Sequence, residues 1–405
     1  VIARRRPAAL DAAIAASVLL ALAWFAGGQA RLGRIDPALV LPWLALVLVP
    51  LALVPTKHRV PAKAGVHHPL VQNGTGRRWT PAFAGEQFSF VVVALLFAQA
   101  ALASLLAAQI PWAQLGLVGV GVALAAWLAA GLARWRAGRA MRGAAALLLV
   151  GAWSVGAHLL LAALYRAPPA EGAPVTMLTG LPLRWSAGED MAAMIARGAS
   201  DDAALQRIEA AGPVRLVDSL IDHPPAPGGA LFLAHPRALA PRELVAIDAF
   251  VREGGRAVIL ADALSGWPAR HPFGDPRNPP VTSLLTPLLD HWGVTLGTAP
   301  ISDRRTIPVE VDGARLRLFT AGRFDTLPPG CKPYADRRIA SCRIGRGAVW
   351  LVGDADLLFA PLWQPAPHWA AHLRRADTME WLAAHLWPDT PRAWLQPLWI
   401  RAAAQ

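Results

Sequence analysis

Long apolar runs come first in this chain and short alternating ones follow. Mostly apolar stretches cover residues 8–25, 37–54, 88–110, 113–133 and 143–165. Each comes close to the ~20 residues needed to cross ~30 Å of hydrocarbon. The pattern therefore predicts an N-terminal α-helical membrane domain of about five transmembrane helices over residues 1–166. The link Pro111-Trp112 demands a tight helical hairpin between the third and fourth, with Trp112 placed as an interfacial anchor. The opening VIARRR before the first run would suit a signal peptide. No small-residue cleavage site follows, and a second run comes almost at once, so a retained span is the expectation.

After Pro168-Pro169 the period shortens. VTMLTG, VRLVD and ALFLA read as buried strands over 175–180, 214–218 and 230–234. Ser186 and Glu189 have capping-box spacing, and Ser200 is placed to cap a helix ending at Gly212. Pro241 suits the first turn of a helix carrying Leu244, Ile247, Phe250 and Val251 on one face. Gly254-Gly255 ends it, and AVILAD (257–262) follows. Strand, helix and strand make a right-handed parallel crossover.

A helix is expected over 283–292. Hairpins follow at Asp312-Gly313, a type I′ signal, and at Gly345-Arg346-Gly347. A closing helix spans 368–386. Residues 388–405 form a tail in which Trp394, Leu395, Leu398 and Trp399 pack against the preceding domain or, alternatively, lie on a membrane surface. Residues 167–387 are thus expected to be one α/β domain, a mostly parallel sheet with antiparallel hairpins.

Charge sharpens this division. The net charge is +12 and 55% of residues are hydrophobic. Residues 1–166 hold 15 Lys/Arg and three acids; the remainder holds 24 of each sign. The second half has no basic excess, which removes the electrostatic warrant for nucleic-acid binding. The excess sits in the N-terminal arm, the loop after the second run and Arg134, Arg136, Arg139 and Arg142 after the fourth. The positive-inside rule then places the N-terminus in the cytoplasm and residues 167–405 outside it, in the periplasm of a bacterial inner-membrane protein. The span interiors carry no Asp, Glu, Lys or Arg, so an anchor or scaffold is expected rather than a conduction path.

Residues 56–87 are irregular, with related pieces PAKAG and PAFAG, and read as an inserted cytoplasmic loop. His58, His67 and His68 there lack a Cys or carboxylate spaced to complete a metal site. Elsewhere no CxxC, HExxH, Walker or kinase pattern occurs, and neither a metal nor a cofactor is expected. Ser265, His271 and Asp275 could form a catalytic group, but all three belong to a Pro/Gly-rich loop and are read as loop polarity. Asp354 and Asp356 end a strand, where a cap or turn role is preferred over cation binding. Cys331 and Cys342, the two cysteines of the chain, are expected to form a disulfide in an oxidising compartment.

LFLAHPRALAPRELVAIDAFVREGGRAVILAD, then GRGAVWLVGDADLL and a final helix, resemble the extracytoplasmic domain of auxiliary membrane subunits of uncharacterised ABC transport systems, the gliding-motility type among them. They are also similar to membrane-anchored amidotransferase-like domains. The resemblance, over about 175–386, implies a flavodoxin-like, class I amidotransferase-like sheet without the catalytic cysteine, whose place falls at Asp262-Ala263. Those subunits usually carry their large extracytoplasmic region between two spans, whereas five spans come first here. No ATPase motif is present, so ATP use requires a subunit in trans.

The expectation is a non-enzymatic accessory subunit of a transport or envelope complex, with the bilayer and membrane-complex proteins as partners. Contacts are expected where parallel sheets bind, beyond the carboxyl ends of their strands, at His235, Asp262, Asp354 and Asp356. The alternatives are a periplasmic hydrolase with an unconventional site, or a membrane partner of a chaperone-type ATPase and a von Willebrand-type protein.

Overall fold

A computed structural model describes residues 8–53, 82–184, 201–269, 271–272, 274–275, 277–298 and 305–401. The chain divides into two compact units: Val1–Tyr165 together with Leu395–Gln405, and Arg166–Trp394.

The first unit is helical: α1 (Ala8–Phe25), α2 (Gln29–Leu32), α3 (Leu44–Leu53), α4 (Ala82–Ala107), α5 (Trp112–Arg134) and α6 (Arg139–Leu164). Among the described residues three segments, Phe90–Ala107, Trp112–Arg134 and Arg139–Leu164, are long and apolar enough to cross a membrane; Ala13–Phe25 and Pro37–Leu53 are shorter apolar helices. The run over 37–54 is not a uniform α-helix, because Pro37–Trp43 winds as a 3₁₀ turn before α3. Pro42 inside it lacks the N–H that an i→i−4 bond requires. Helix α4 buries every fourth residue, Val91, Leu95, Gln99, Ala103 and Ala107. The loop expected over 56–87 lies outside the described residues as far as residue 81, and α4 already begins at Ala82.

The last residues belong to this helical unit. Leu395 N–H donates to the Leu164 carbonyl (3.0 Å), Ile35 to Leu398 (2.9 Å), Ile400 to Gly33 (3.0 Å) and Arg401 to Leu106 (2.9 Å). Arg34 and Trp399 face each other as an isolated antiparallel bridge. Leu395, Leu398 and Trp399 are buried and belong to the helical unit, where the sequence had led us to expect the tail on the α/β domain; Trp394 is exposed. The physical reason lies in helix ends. Leu164 and Leu106 stand in the last turns of α6 and α4, whose carbonyls have no partner within their own helix.

The second unit is built on a seven-stranded sheet. In chain order its strands are β1 (Val175–Thr179), β2 (Val214–Leu216), β3 (Ala230–Ala234), β4 (Arg256–Leu260), β9 (Cys331–Tyr334), β10 (Ile339–Ile344) and β11 (Gly347–Val352). Their spatial order is β2-β1-β3-β4-β11-β10-β9. The first five are parallel, and β10 and β9 add antiparallel pairs. The central strands are buried on both faces, so ALFLA reads as a continuous apolar run. Alternate residues feed two cores: Met177, Phe232 and Val258 face one side, and Leu231, Leu233 and Ile259 the other.

Helices cover both faces. α7 (Ala203–Glu209) is capped by Asp202, whose carboxylate accepts from Ala204 N–H. Ser200 and the Ser186/Glu189 box lie outside the described residues. α8 (Pro241–Arg252) provides the β3-to-β4 crossover, and α9 (Thr286–His291) is shorter than the predicted 283–292. Two small antiparallel sheets stand apart from the main one: β5 (Thr295–Gly297) with β8 (Arg323–Thr326), and β6 (Thr306–Val311) with β7 (Ala314–Phe319). The β6–β7 turn has positive φ at both Asp312 and Gly313, as a type I′ turn requires.

A four-residue helix, α10 (Ala360–Trp363), precedes the closing helix α11 (Thr378–Leu386). α11 starts later than the predicted 368, because Ala371–Leu373 wind as a separate 3₁₀ turn and Arg374 folds back on Asp377 at 2.7 Å. Strand β9 was not expected, because Lys-Pro-Tyr carries no strand signal. Its register sets Cys331 opposite Cys342, and the two are disulfide-bonded with Cα atoms 4.0 Å apart.

Candidate functional site at the carboxyl ends of the strands

Strands β3, β4 and β11 run in register, with Leu260 paired to Ala234 on one side and to Val352 on the other. Residues just beyond those three therefore fall side by side. They are His235, Asp262, Asp354 and Asp356, all buried. The backbone turns sharply at His235, whose φ is +50°. Its carbonyl accepts from Gly180 N–H (3.1 Å) and its N–H donates to Leu260 (3.0 Å). The ring then reaches both ways: Nδ1 accepts from Asp262 N–H (3.5 Å) and Nε2 donates to the Pro280 carbonyl (2.9 Å). Both bonds suit the neutral imidazole with its proton on Nε2, and burial lowers the pKa of His235.

The three aspartates converge so closely that one oxygen from each lies within 4.8 Å of the others. Asp262 Oδ1 accepts from Leu264 N–H (2.9 Å) and Oδ2 from Ala355 N–H (3.1 Å). Asp354 Oδ2 accepts from Phe319 N–H (2.6 Å) and Oδ1 from Leu357 N–H (3.2 Å). Asp356 Oδ1 accepts from the Ser265 hydroxyl (3.0 Å) and Oδ2 from Gly266 N–H (2.6 Å), with Thr320 Oγ1 2.9 Å from the same oxygen. Every carboxylate oxygen of the trio thus accepts at least one hydrogen bond. Together they tie the loops after β4, β7 and β11 into one knot.

Three buried carboxylates this close cannot all be charged cheaply. Burial, and then the charge of Asp356, push the Asp262 carboxyl up to about 8. Burial first, then the charges of Asp262 and Asp356, raise Asp354. Asp356 is raised by burial against the pull of its hydrogen bonds. Among the described residues no Arg or Lys makes an ion pair with any of the three. Shared protons, or a cation bridging the three oxygens, would relieve the repulsion.

The structure brings the four expected residues together and gives the members of the other group partners of their own. Ser265 turns to Asp356, Asp275 pairs with Arg277 at 2.8 Å, and the His271 backbone is held by Asn278. Sequence reasoning missed Phe319 and Thr320. Their approach depends on a backbone bond, Gly322 N–H to Gly353 O at 2.7 Å. Two isolated glycines carry no such signal in the sequence.

Residues 200–317 match the family described as an ABC-type uncharacterized transport system. No curated protein matches the chain. Solved structures similar to it include an exo-β-1,4-mannosidase from Opitutaceae bacterium strain TAV5, at 13% identity and TM-score 0.31 over 60% of this chain and 39% of that one. A catalytic mutant of the GH42 β-galactosidase Gan42B from G. stearothermophilus matches at 14% and 0.29, over 53% and 30%. The β-galactosidase from Rahnella sp. R3 matches at 14% and 0.28, over 62% and 35%. The chain thus spans between 30% and 39% of the length of these enzymes. At TM-scores of this size the likeness says nothing of what the chain does.

Proposed function

We propose that this chain is a non-enzymatic accessory subunit of an ABC-type transport or envelope complex. It passes the bacterial inner membrane five times, with its N-terminus in the cytoplasm and an amidotransferase-like α/β domain in the periplasm. The observation that carries this reading is the match of residues 200–317 to an ABC-type transport family in a chain with three helices able to cross a membrane.

Three features support the finer points. The five parallel strands stand in the order β2-β1-β3-β4-β11, which is the flavodoxin-like order 2-1-3-4-5. The groups a hydrolase would use at the strand ends are spoken for. Ser265 donates to Asp356 and His235 is held on Pro280; the two cysteines lie away from that edge and bond each other. A binding role at this edge is the better fit, with the aspartate knot fixing the loops that a partner would meet.

For topology, residues 395–401 bond to residues at or just beyond the ends of α1–α2, α4 and α6. In a five-span chain these are the ends of the first, third and fifth spans, which share one side. The arginine-rich link between α5 and α6 belongs to the other side, as the positive-inside rule asks.

Purification of the full chain in mild detergent tests the assignment. Co-recovery of an ATP-binding-cassette subunit is expected. Recovery of a chaperone-type ATPase in its place overturns it. A reporter enzyme fused after Tyr165 tests the topology, and cytoplasmic-type reporter activity there refutes it.

A further inference from the structure

We infer that the arginine-rich link between α5 and α6 is a binding surface for anionic phospholipid head groups of the phosphatidylglycerol class. The inference rests on the membrane reading above. Arg134, Arg136, Arg139 and Arg142 fall within nine residues, and only residues 135–138 lie between the two helices. α5 has 23 residues and α6 has 26, so at ~1.5 Å per residue they run to ~35 Å and ~39 Å. Hydrocarbon occupies ~30 Å of a bilayer, and the head groups bring the total to ~40–45 Å. Helices of these lengths end inside the head-group layer, and a four-residue link keeps its charges there. The anion within reach at that depth is a lipid phosphate.

Among the described residues none of the four arginines joins an ion pair. Between Glu86 and Glu171 the chain has no acidic residue, so neither α5 nor α6 brings a carboxylate to them. Arg134, Arg136 and Arg139 are exposed and Arg142 is half-buried. Arg134 donates its Nε–H to the Ala130 carbonyl (3.2 Å), which leaves its terminal nitrogens for a phosphate. Arg139 and Arg142 stand in the opening turns of α6 with no acidic companion in the first. The helix dipole disfavours a cation there until an anion joins it. Trp135 and Met141 are exposed as well, and an indole beside guanidinium groups suits the boundary of head group and acyl chain. A guanidinium meets a phosphate through two parallel N–H···O bonds. Phosphatidylcholine offsets its phosphate with its own ammonium and phosphatidylglycerol does not, so the surface should prefer the second.

The test uses the full chain in phosphatidylcholine vesicles. With Cys331 and Cys342 bonded to each other, Ala140→Cys at an exposed position supplies the one thiol open to a donor dye. Gln109→Cys, in the link between α4 and α5, is the control. Trace phosphatidylglycerol and trace phosphatidylcholine, each with the same acceptor dye on an acyl chain, are compared as quenchers. The dye at 140 should report about fivefold enrichment of phosphatidylglycerol, the factor for one arginine per lipid, and the dye at 109 none. Adding Arg136→Gln and Arg139→Gln, with Arg134 and Arg142 kept, should lower the enrichment to about threefold, since half of the arginines remain. Salt at about 1 M, where the screening length falls to ~3 Å, should lower it without any substitution. Equal quenching by the two lipids at 140 overturns the inference. So does an enrichment that the double substitution or salt leaves unchanged, or one of equal size at 109. If neither lipid quenches at either position, the membrane reading fails and the surface with it.

Discussion

The Tyr165 hydroxyl donates to the Asp36 carboxylate, 2.6 Å from Oδ2 and 2.7 Å from Oδ1. Both residues are fully buried. Tyr165 follows the last turn of α6, and Asp36 opens the 3₁₀ turn, where its Oδ1 also accepts from Ala38 N–H at 3.2 Å. One side chain thus caps a helix start and pins the far end of another helix. Tyr165→Phe removes a single oxygen and leaves the ring in place. Losing a hydrogen bond to a buried carboxylate costs roughly 1.5–3 kcal/mol. The full chain in detergent should melt several degrees lower, and Tyr165→Phe should lose more than a conservative change at exposed Trp394.

Gly353 sits where β11 ends and the aspartate knot begins. A Cβ there would lie 2.5 Å from the Gly322 carbonyl oxygen, and a backbone atom cannot step aside as a side-chain tip can. Gly353→Ala should therefore part the two segments, move Asp354 off Phe319 N–H, and cost at least about 1–3 kcal/mol. Gly172→Ala is the control, because nothing lies within 4 Å of its added methyl. Thermal melts of the two variants should separate clearly; equal melting temperatures would show that the backbone contact is not tight.

The Cys331–Cys342 bond ties edge strand β9 to β10. Mass spectrometry after alkylation should find no free thiol in the native chain and two after reduction. Replacing both cysteines with serine should lower stability by about 2–3 kcal/mol, the loop-closure value for so short a ring. The loss should appear first as faster hydrogen exchange in β9, which has a strand neighbour on one side only.

Much of this molecule was legible because its signals are local. ALFLA and AVILAD announce buried parallel strands, Pro241 and Gly254-Gly255 bracket α8, and Asp312-Gly313 specifies its own turn. His235, Asp262, Asp354 and Asp356 could be named together since each stands just past a strand, and the register of β3, β4 and β11 does the rest. What stayed hidden depends on partners distant in sequence. Residues 395–401 look amphipathic and free of context, yet they complete the open ends of α4 and α6. β9 contains Lys332 and Pro333 and forms only because β10 offers it an edge. Thr320 reaches Asp356 through a glycine-to-glycine approach that no periodicity encodes.

The aspartate knot makes stability depend on pH in an unusual direction. An unfolded aspartate titrates near 4, whereas burial and the charge of Asp356 lift folded Asp262 to about 8; Asp354 and Asp356 are raised too. Between those values the folded state keeps protons that the unfolded chain releases. Unfolding then sheds protons, so the stabilising contribution is complete below about pH 4 and is lost as pH rises toward 8. The α/β unit should therefore melt at a higher temperature near pH 7 than near pH 8.5, a range above that in which His235 and His385, both lowered by burial, take up protons on unfolding, and opposite to the trend of a salt-bridged carboxylate. Asp354→Asn should flatten this slope, since it removes one titrating group whose pKa burial and its neighbours raise. Its melting temperature near pH 5 should nevertheless fall. An amide presents an N–H₂ group where both Asp354 oxygens now accept from Phe319 and Leu357, and one of those donors would lose its partner. A melting temperature that rises from pH 7 to 8.5 in the parent chain would mean that the three carboxylates are charged and held by something other than protons.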